Sequence, residues 1–441
     1  MWFLLPLVWA LRAPAVAALQ IGIIGGGPAG LSLGLALEQL VGDGASVSIF
    51  DRSDQLRPQL GGGVQLNSGA AVLARLGLAE ELLAAGQPVK RVLSRNVGGQ
   101  RLLDLDLQKA LRGSPKAVAA GVVRGNGDVL ALSIMRDSLQ AILYNKLMSS
   151  KKTQVTFGKD LCSVIDVAGK VRCAFEDGTS QDFDLVIGAD GLRSKVRRAL
   201  RDADEDEAVY DTGINIQWGV APAGTRKETD ELHQWFAPDG VYCLASTYGG
   251  LDGVLYDQVV VVSPASAGKS GMNAAWDKDA SVEDARARLR ARLEAAKMPG
   301  DLVDVATKCE RVFELSSHGV NPLGGWTGLG GKGVLVGDAA HAMAPFLGQG
   351  TNQAVQDGYC LASEVAKFVR KETPTLQEAL KAYENKRKLL TTKLAFNSRV
   401  LGAVETVLPE FARDAFFRTT AALGVAEFVY LDGAVPSVLE V

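Results

Sequence analysis

The sequence predicts an α/β fold: a Rossmann-like dinucleotide-binding domain, an interleaved and mostly antiparallel second sheet, and C-terminal helices. A strand, a glycine-rich break, a helix and a second strand follow one another between Leu19 and Phe50. The stretch from about Tyr210 to Val262 is rich in Trp, Tyr, Val and Gly and has few helical periods, the pattern of an antiparallel sheet. After it the chain returns to a short apolar strand, a glycine loop and long helices.

Taken in order, Leu19 to Ile24 reads as a buried strand that breaks into Gly25, Gly26, Gly27, Pro28, Ala29 and Gly30 before a helix running to Leu40. Val47 to Phe50 supplies the next strand, completing the start of a βαβ unit. Apolar residues at helical spacing predict helices over Asn67 to Leu83 and Ile134 to Met148, and Val282 to Ala296 reads as a charged helix. Alternation predicts strands at Val155 to Phe157, Val171 to Phe175 and Leu185 to Ile187. The organisation expected is a targeting peptide over 1–18, a dinucleotide-binding domain over 19–200 with inserted substrate-side segments, and mostly second-sheet structure over 201–310. The first domain then returns over 311–370, and helices follow over 371–441. The acidic run Asp202 to Glu207 reads as a solvated loop.

Composition narrows the function. With 47 Lys and Arg against 50 Asp and Glu in 441 residues, the chain has no basic field for phosphate backbones, which excludes a nucleic-acid partner. The five cysteines form no CxxC pair and read as small buried hydrophobes, and the three histidines are dispersed, so no metal is expected.

Met1 to Leu11 is an almost unbroken apolar run, followed by Arg12 and small residues with an A-x-A pattern at Ala15 to Ala17. This reads as a secretory-route signal peptide, leading to an organelle such as a plastid, with a mature protein that does not span a membrane. A membrane-surface anchor, or an incorrect start ahead of a cytosolic enzyme, are the alternatives.

Three motifs carry chemistry. Gly25-x-Gly27-x-x-Gly30 between strand and helix gives a tight turn, a close approach for a pyrophosphate and close helix packing, with Pro28 and Ala29 at the helix start. Asp51, at the end of the second strand and next to Arg52, is placed to accept hydrogen bonds from a ribose. In the second motif an apolar strand delivers Asp190 and Gly191 into a loop followed by Arg193, Lys195, Arg197 and Arg198, cations suited to nucleotide contacts. In the third, Val334 to Val336 is a buried strand with Gly337 and Asp338 at its carboxyl end, and Gly348, Gly350, Thr351 and Asn352 open a helix whose N–H groups favour negative charge. His341 reads as a packed residue rather than a base.

These segments, in this order, resemble the class A flavoprotein monooxygenases, the family of p-hydroxybenzoate and salicylate hydroxylases, zeaxanthin epoxidase and the ubiquinone-pathway hydroxylases. Arg75 to Leu78 (RLGL), the helix with Arg136, and Tyr383-Glu384-x-x-Arg387 also fit, so the similarity spans Leu19 to Arg399. The resemblance implies a tightly but non-covalently bound FAD. Its ADP half would be held by Gly25, Gly27, Gly30 and Asp51, with Arg136 and Asp190 along it, Asp338 on the ribityl chain, and Gly348 to Asn352 at the pyrimidine edge. Pro345 would lie near the reacting flavin carbon, and Arg193 would also serve NAD(P)H. Asp51 departs from the Glu of many relatives and has a shorter reach.

No second GxGxxG follows a strand, so NAD(P)H would visit as a transient reductant. The family's chemistry then implies O2 as co-substrate, a flavin C4a-hydroperoxide, and hydroxylation or epoxidation of a small, largely apolar aromatic or isoprenoid substrate. No catalytic acid or base is nominated. Trp218, His233, Trp235, Tyr242 and Phe346 are the candidates for the substrate pocket, with core packing of the middle sheet as the alternative for each. An FAD-dependent dehydrogenase or reductase of the same fold, and a non-enzymatic prenyl-binding escort, are the competing functions; a halogenase is disfavoured by the missing WxWxIP pattern.

Overall fold

The computed structural model describes residues 18–56, 61–201, 208–265 and 281–439. The expected targeting peptide, apart from Ala18, and the acidic run at 202–207 lie outside the described residues.

A six-stranded sheet forms the centre of the nucleotide-binding part, in the spatial order Thr327–Gly328, Gly333–Leu335, Leu185–Gly188, Leu19–Ile24, Ala45–Phe50 and Gln154–Thr156. All pairs are parallel except the antiparallel edge pair at Thr327–Gly328. Its strands are short apolar runs because helices cover the sheet. Pro28–Leu40 packs against Gly350–Val369 and Arg136–Ser150, and Ile21, Ile23, Ile49, Val186, Ile187 and Val334 are all fully buried. Register brings the carboxyl ends level, with Ile24 opposite both Phe50 and Gly188, and Gly188 opposite Leu335. The residues that follow these strands therefore emerge side by side at one edge.

The second sheet contains ten strands, with a main path Arg311–Val320, Val209–Pro222, Leu255–Pro264, Tyr242–Gly249, Glu231–Phe236, Arg91–Asn96, Arg101–Asp106. It is mostly antiparallel, the exceptions being Glu231–Phe236 on Arg91–Asn96 and Tyr242–Gly249 on Leu132–Met135. One face is covered by the helices Val282–Ala295 and Gly300–Lys308, with Leu289, Leu293, Leu302 and Val305 packed on Ala221, Cys243, Val259 and Val261. The other face carries Ile214, Ile216, Phe236, Tyr242 and Val262 and meets Val404 and Phe417 of the C-terminal helices. An antiparallel three-stranded meander, Leu161–Val167, Lys170–Phe175 and Ser180–Phe183, caps the parallel sheet through Phe175 and Phe183 against Phe50.

Several expected elements change. The helix expected over Asn67 to Leu83 is interrupted at Gly77, whose φ of 79° breaks the helical path between Ser68–Leu73 and Ala79–Ala85. The helix expected from Ile134 begins at Arg136, because Leu132–Met135 is a fully buried strand of the second sheet. Cys162 is exposed, whereas the other four cysteines are buried.

Candidate cofactor and substrate site

The glycine loop is held from both sides. Gly25 has φ of 113° and donates its N–H to the Phe50 carbonyl at 2.7 Å. A Cβ on Gly25 would lie 2.2 Å from the Ala189 carbonyl oxygen, and one on Gly30 would lie 2.0 Å from the Gly25 oxygen, so these two glycines are demanded by the protein itself. Gly27 differs: its backbone is ordinary extended chain, with φ −77° and ψ −179°, and no atom lies within 4 Å of where its Cβ would stand. The space beside Gly27 opens onto the N-terminus of the Pro28–Leu40 helix, where the first N–H groups have no helical acceptor and the dipole favours an anion. Gly25→Ala is thus expected to destabilise the apoprotein by at least about 1–3 kcal/mol in chemical denaturation. Gly27→Ala should leave apoprotein stability unchanged while lowering FAD content. Full FAD retention in Gly27→Ala would show that nothing approaches that backbone.

Asp51 accepts N–H groups from Gly26 through Oδ2 at 2.7 Å and from Ser53 through Oδ1 at 2.8 Å. The short side chain is therefore fixed beside the loop, and each carboxylate oxygen keeps a further lone pair for a ribose. Arg52 beside it is exposed. Gln140, one turn into the Arg136–Ser150 helix, donates Nε2 to the Gly26 carbonyl at 2.6 Å, which clamps that helix to the loop. Arg136 at its start is half-buried and has no side-chain partner among the described residues.

Asp190 follows the Leu185–Gly188 strand, and its Oδ2 accepts from the Lys195 and Val196 N–H groups at 2.7 and 3.2 Å, capping the next helix. Its Oδ1 is buried and has no hydrogen-bond partner among the described residues. Burial raises the Asp190 pKa against the opposing hydrogen bonds from Ser194 and the backbone. Gly191 turns the loop with φ of 78°, and Arg193 is exposed on it. Arg197 departs from the expected nucleotide-facing cation cluster. It is fully buried and donates to the Ala339 carbonyl at 2.6 Å and the Leu192 carbonyl at 2.5 Å, tying the second motif to the third.

In the third motif Gly337 turns the chain with φ of 60° and donates its N–H to Asp357 Oδ2 at 2.9 Å. Asp338, next in line, is exposed and has no hydrogen-bond or ion-pair partner among the described residues. His341 is a packed residue: its Nε2 lies 2.6 Å from Asp357 Oδ2, and its ring lies 5.2 Å from that of Trp326. Arg387 Nε donates to the other Asp357 oxygen at 2.7 Å. Burial pushes the Asp357 pKa up, but His341 and Arg387 together hold it below the ordinary carboxylate value.

Pro345 is exposed in the loop before Gly350–Val369, Gly348 turns it with φ of 61°, and the N–H groups of Gly350, Thr351 and Asn352 form the helix start. The Asn352 side chain is fully engaged with protein: Oδ1 accepts from Asn67 and Gly69, each at 3.0 Å, and Nδ2 donates to Gln65 and Gly348. Only its backbone is left for a ligand.

The substrate candidates separate by strand parity. Trp218, Tyr242 and Phe346 share the inner face of the second sheet, with the Tyr242 and Phe346 rings 6.1 Å apart. His233 and Trp235 do not join them. Trp235 packs in the cluster under the outer helices, and His233, on the same side of its strand, meets Glu231 at 2.8 Å, while the next residue after Trp235, Phe236, faces inward. Three polar residues unmarked in the sequence gather around Gly63 and the Gly348 loop. Gln258 accepts the Gly63 N–H at 2.5 Å, the Tyr248 ring packs against Gly63, and Gln65 reaches the Gly348 loop. A lone amide heading the apolar run Val259 to Val262 was the available signal for Gln258.

Among the described residues no group of His, Cys, Asp and Glu could hold a metal ion, and no helix is long and apolar enough to cross a membrane. The donor set fits FAD instead: open space at Gly27, an Asp190 oxygen and an Asp338 carboxylate that have no partner among the described residues, and a helix start share one edge of the sheet.

A family model described as an FAD binding domain matches residues 18–398. The chain is 28% identical over 409 residues to 3-amino-4-hydroxybenzoate 2-monooxygenase of Streptomyces cremeus, covering 89% of each. It is 27% identical over 393 residues to salicylate hydroxylase of Pseudomonas putida, covering 84% of this chain and 82% of that one. Among solved structures, Klebsiella pneumoniae HpxO complexed with FAD and uric acid has the same fold, with a TM-score of 0.76 at 18% identity over 95% of this chain and 97% of that one. A level set of strand ends and a family match over most of the chain lead to one assignment: this is an FAD-binding oxidoreductase belonging to the class A FAD-dependent monooxygenases.

Proposed function

We propose that the enzyme uses NAD(P)H and O2 to hydroxylate or epoxidise a small, largely apolar aromatic or isoprenoid molecule. The observation that carries this reading is the joining of the FAD cradle to an apolar inner sheet face at the Pro345–Gly348 turn, with Phe346 reaching across to Tyr242. Bound FAD supplies the redox chemistry, accepting a hydride and activating O2.

The chain's own residues do the rest. Gly25 to Gly30, Arg136 and the Pro28–Leu40 helix end bind the pyrophosphate, Asp51 and Asp190 take ribose or ribityl hydroxyls, and Asp338 takes the ribityl chain. Helix-start N–H groups from Gly350 to Asn352 would offer stabilisation to negative charge on a bound flavin ring. Trp218, Tyr242 and Phe346 exclude water and orient the substrate. With no second dinucleotide fold in the sequence, NAD(P)H approaches transiently, with Arg193 on the exposed loop as its contact. A screen of phenolic, isoprenoid and quinone compounds is expected to find one that speeds NADPH oxidation with matching oxygen uptake and gains one oxygen by mass. Accelerated NADPH oxidation without oxygen uptake would favour the dehydrogenase reading.

A further inference from the structure

Glu405 lies close to the end of the Leu376–Thr406 helix and is 2% exposed. One turn earlier is Gly402, where a Cβ would come within 2.3 Å of the Phe346 ring, so this helix bears directly on the residue after Pro345. The Phe346 ring neighbours Tyr242, whose hydroxyl lies beside the Glu405 carboxyl. Loop, helix and inner sheet face thus close around one carboxyl group.

Oε2 of that carboxyl is buried and has no hydrogen-bond partner among the described residues. Its neighbour along the helix, Val404, packs with Phe236 and Phe417 in an apolar cluster. Arg413 is the charged group acting on Glu405, and its guanidinium is committed to Asp414 Oδ1 at 2.9 Å and the Ala237 carbonyl at 2.6 Å. Tyr430 is the remaining titratable neighbour. Burial holds the Glu405 pKa well above the ordinary range despite Tyr242 and Arg413. A buried oxygen with nothing to bond has lost what water gave it, and an incoming polar group would restore the bond.

We propose that Glu405, steadied by Tyr242, is the polar recognition point of the substrate pocket, its free oxygen pairing with a hydroxyl or N–H on an otherwise apolar substrate beside Phe346. The inference rests on the monooxygenase reading and deepens it. It selects neutral phenols, hydroxyquinolines and similar molecules over their ethers. It disfavours carboxylate substrates, for which Arg413 has no free charge to offer.

The test uses the FAD-loaded full chain titrated with 1-naphthol and with 1-methoxynaphthalene, read by perturbation of the flavin absorbance. Wild type is expected to prefer the naphthol by about tenfold, the worth of one hydrogen bond. Glu405→Leu should bind both compounds alike, Glu405→Gln should keep part of the preference, and Tyr242→Phe should weaken it, all at wild-type FAD content. A preference unchanged in Glu405→Leu overturns the proposal, as does a wild type that binds neither compound or does not distinguish them. Oxygen uptake by the same samples tests the underlying reading separately. Preference lost in Glu405→Leu without naphthol-driven uptake by wild type would support Glu405 as the contact while counting against oxygenation of such phenols.

Discussion

Asp338→Ala is expected to yield a folded protein that purifies with little FAD. The Asp338 carboxylate is exposed and pairs with nothing among the described residues, so its removal strips no internal bond, and the apoprotein should stay within about 0.5 kcal/mol of wild type. A hydrogen bond from a polyol to a charged carboxylate contributes roughly 1.5–3 kcal/mol, which weakens FAD binding by about 10- to 100-fold when it is lost. The ratio of flavin to protein absorbance measures the loss. Melting must be compared between apoproteins, because bound FAD itself raises stability. Full FAD content in the variant would remove Asp338 from the binding set.

Arg387→Met should act in the opposite way, damaging the fold first. It leaves Asp357, fully buried, facing only His341 and the Gly337 N–H among the described residues, and breaking one side of such a buried pair costs about 3–5 kcal/mol. Chemical denaturation of the apoprotein reads this directly; a loss below about 1 kcal/mol would show the pair to be dispensable. The pH dependence follows from the sign of the shift. Asp357 is held below its ordinary value in the folded state, so its contribution is fully present above the unfolded carboxyl pKa of about 4 and is lost as pH falls through the lower folded value. Wild type should therefore lose stability more steeply than Arg387→Met on acidification.

The three motifs were legible because their information is local. A glycine spacing, an aspartate at a strand end and a glycine loop before a helix each sit within a few residues, and parallel register then sets them level. What escaped depended on distant partners or on parity. His233 and Trp235 look like Tyr242 in sequence, yet a strand alternates its faces, and only the outer helices decide which parity turns away from the pocket. Arg91–Asn96 and Arg101–Asp106 were missed because their charged residues mask the apolar alternation of an outlying strand pair. The cap role of Asp190, the burial of Arg197 and the isolation of Glu405 are properties of assembled surroundings that no spacing along the chain records.

The sheet's strand order also bears on how the chain matures during synthesis. Leu19–Ile24 emerges first, but its neighbour Leu185–Gly188 arrives much later, and Gly333–Leu335 later still. Because Asp338 follows that last strand, and Arg387 must come after it to anchor Asp357, no nascent chain on the ribosome has a finished cradle until Arg387 has emerged. Apolar strands wait unpaired over that interval, which is when a chaperone would be needed. Capture of the flavin is thus a late event, and cellular FAD supply becomes a determinant of how much of the newly made chain survives.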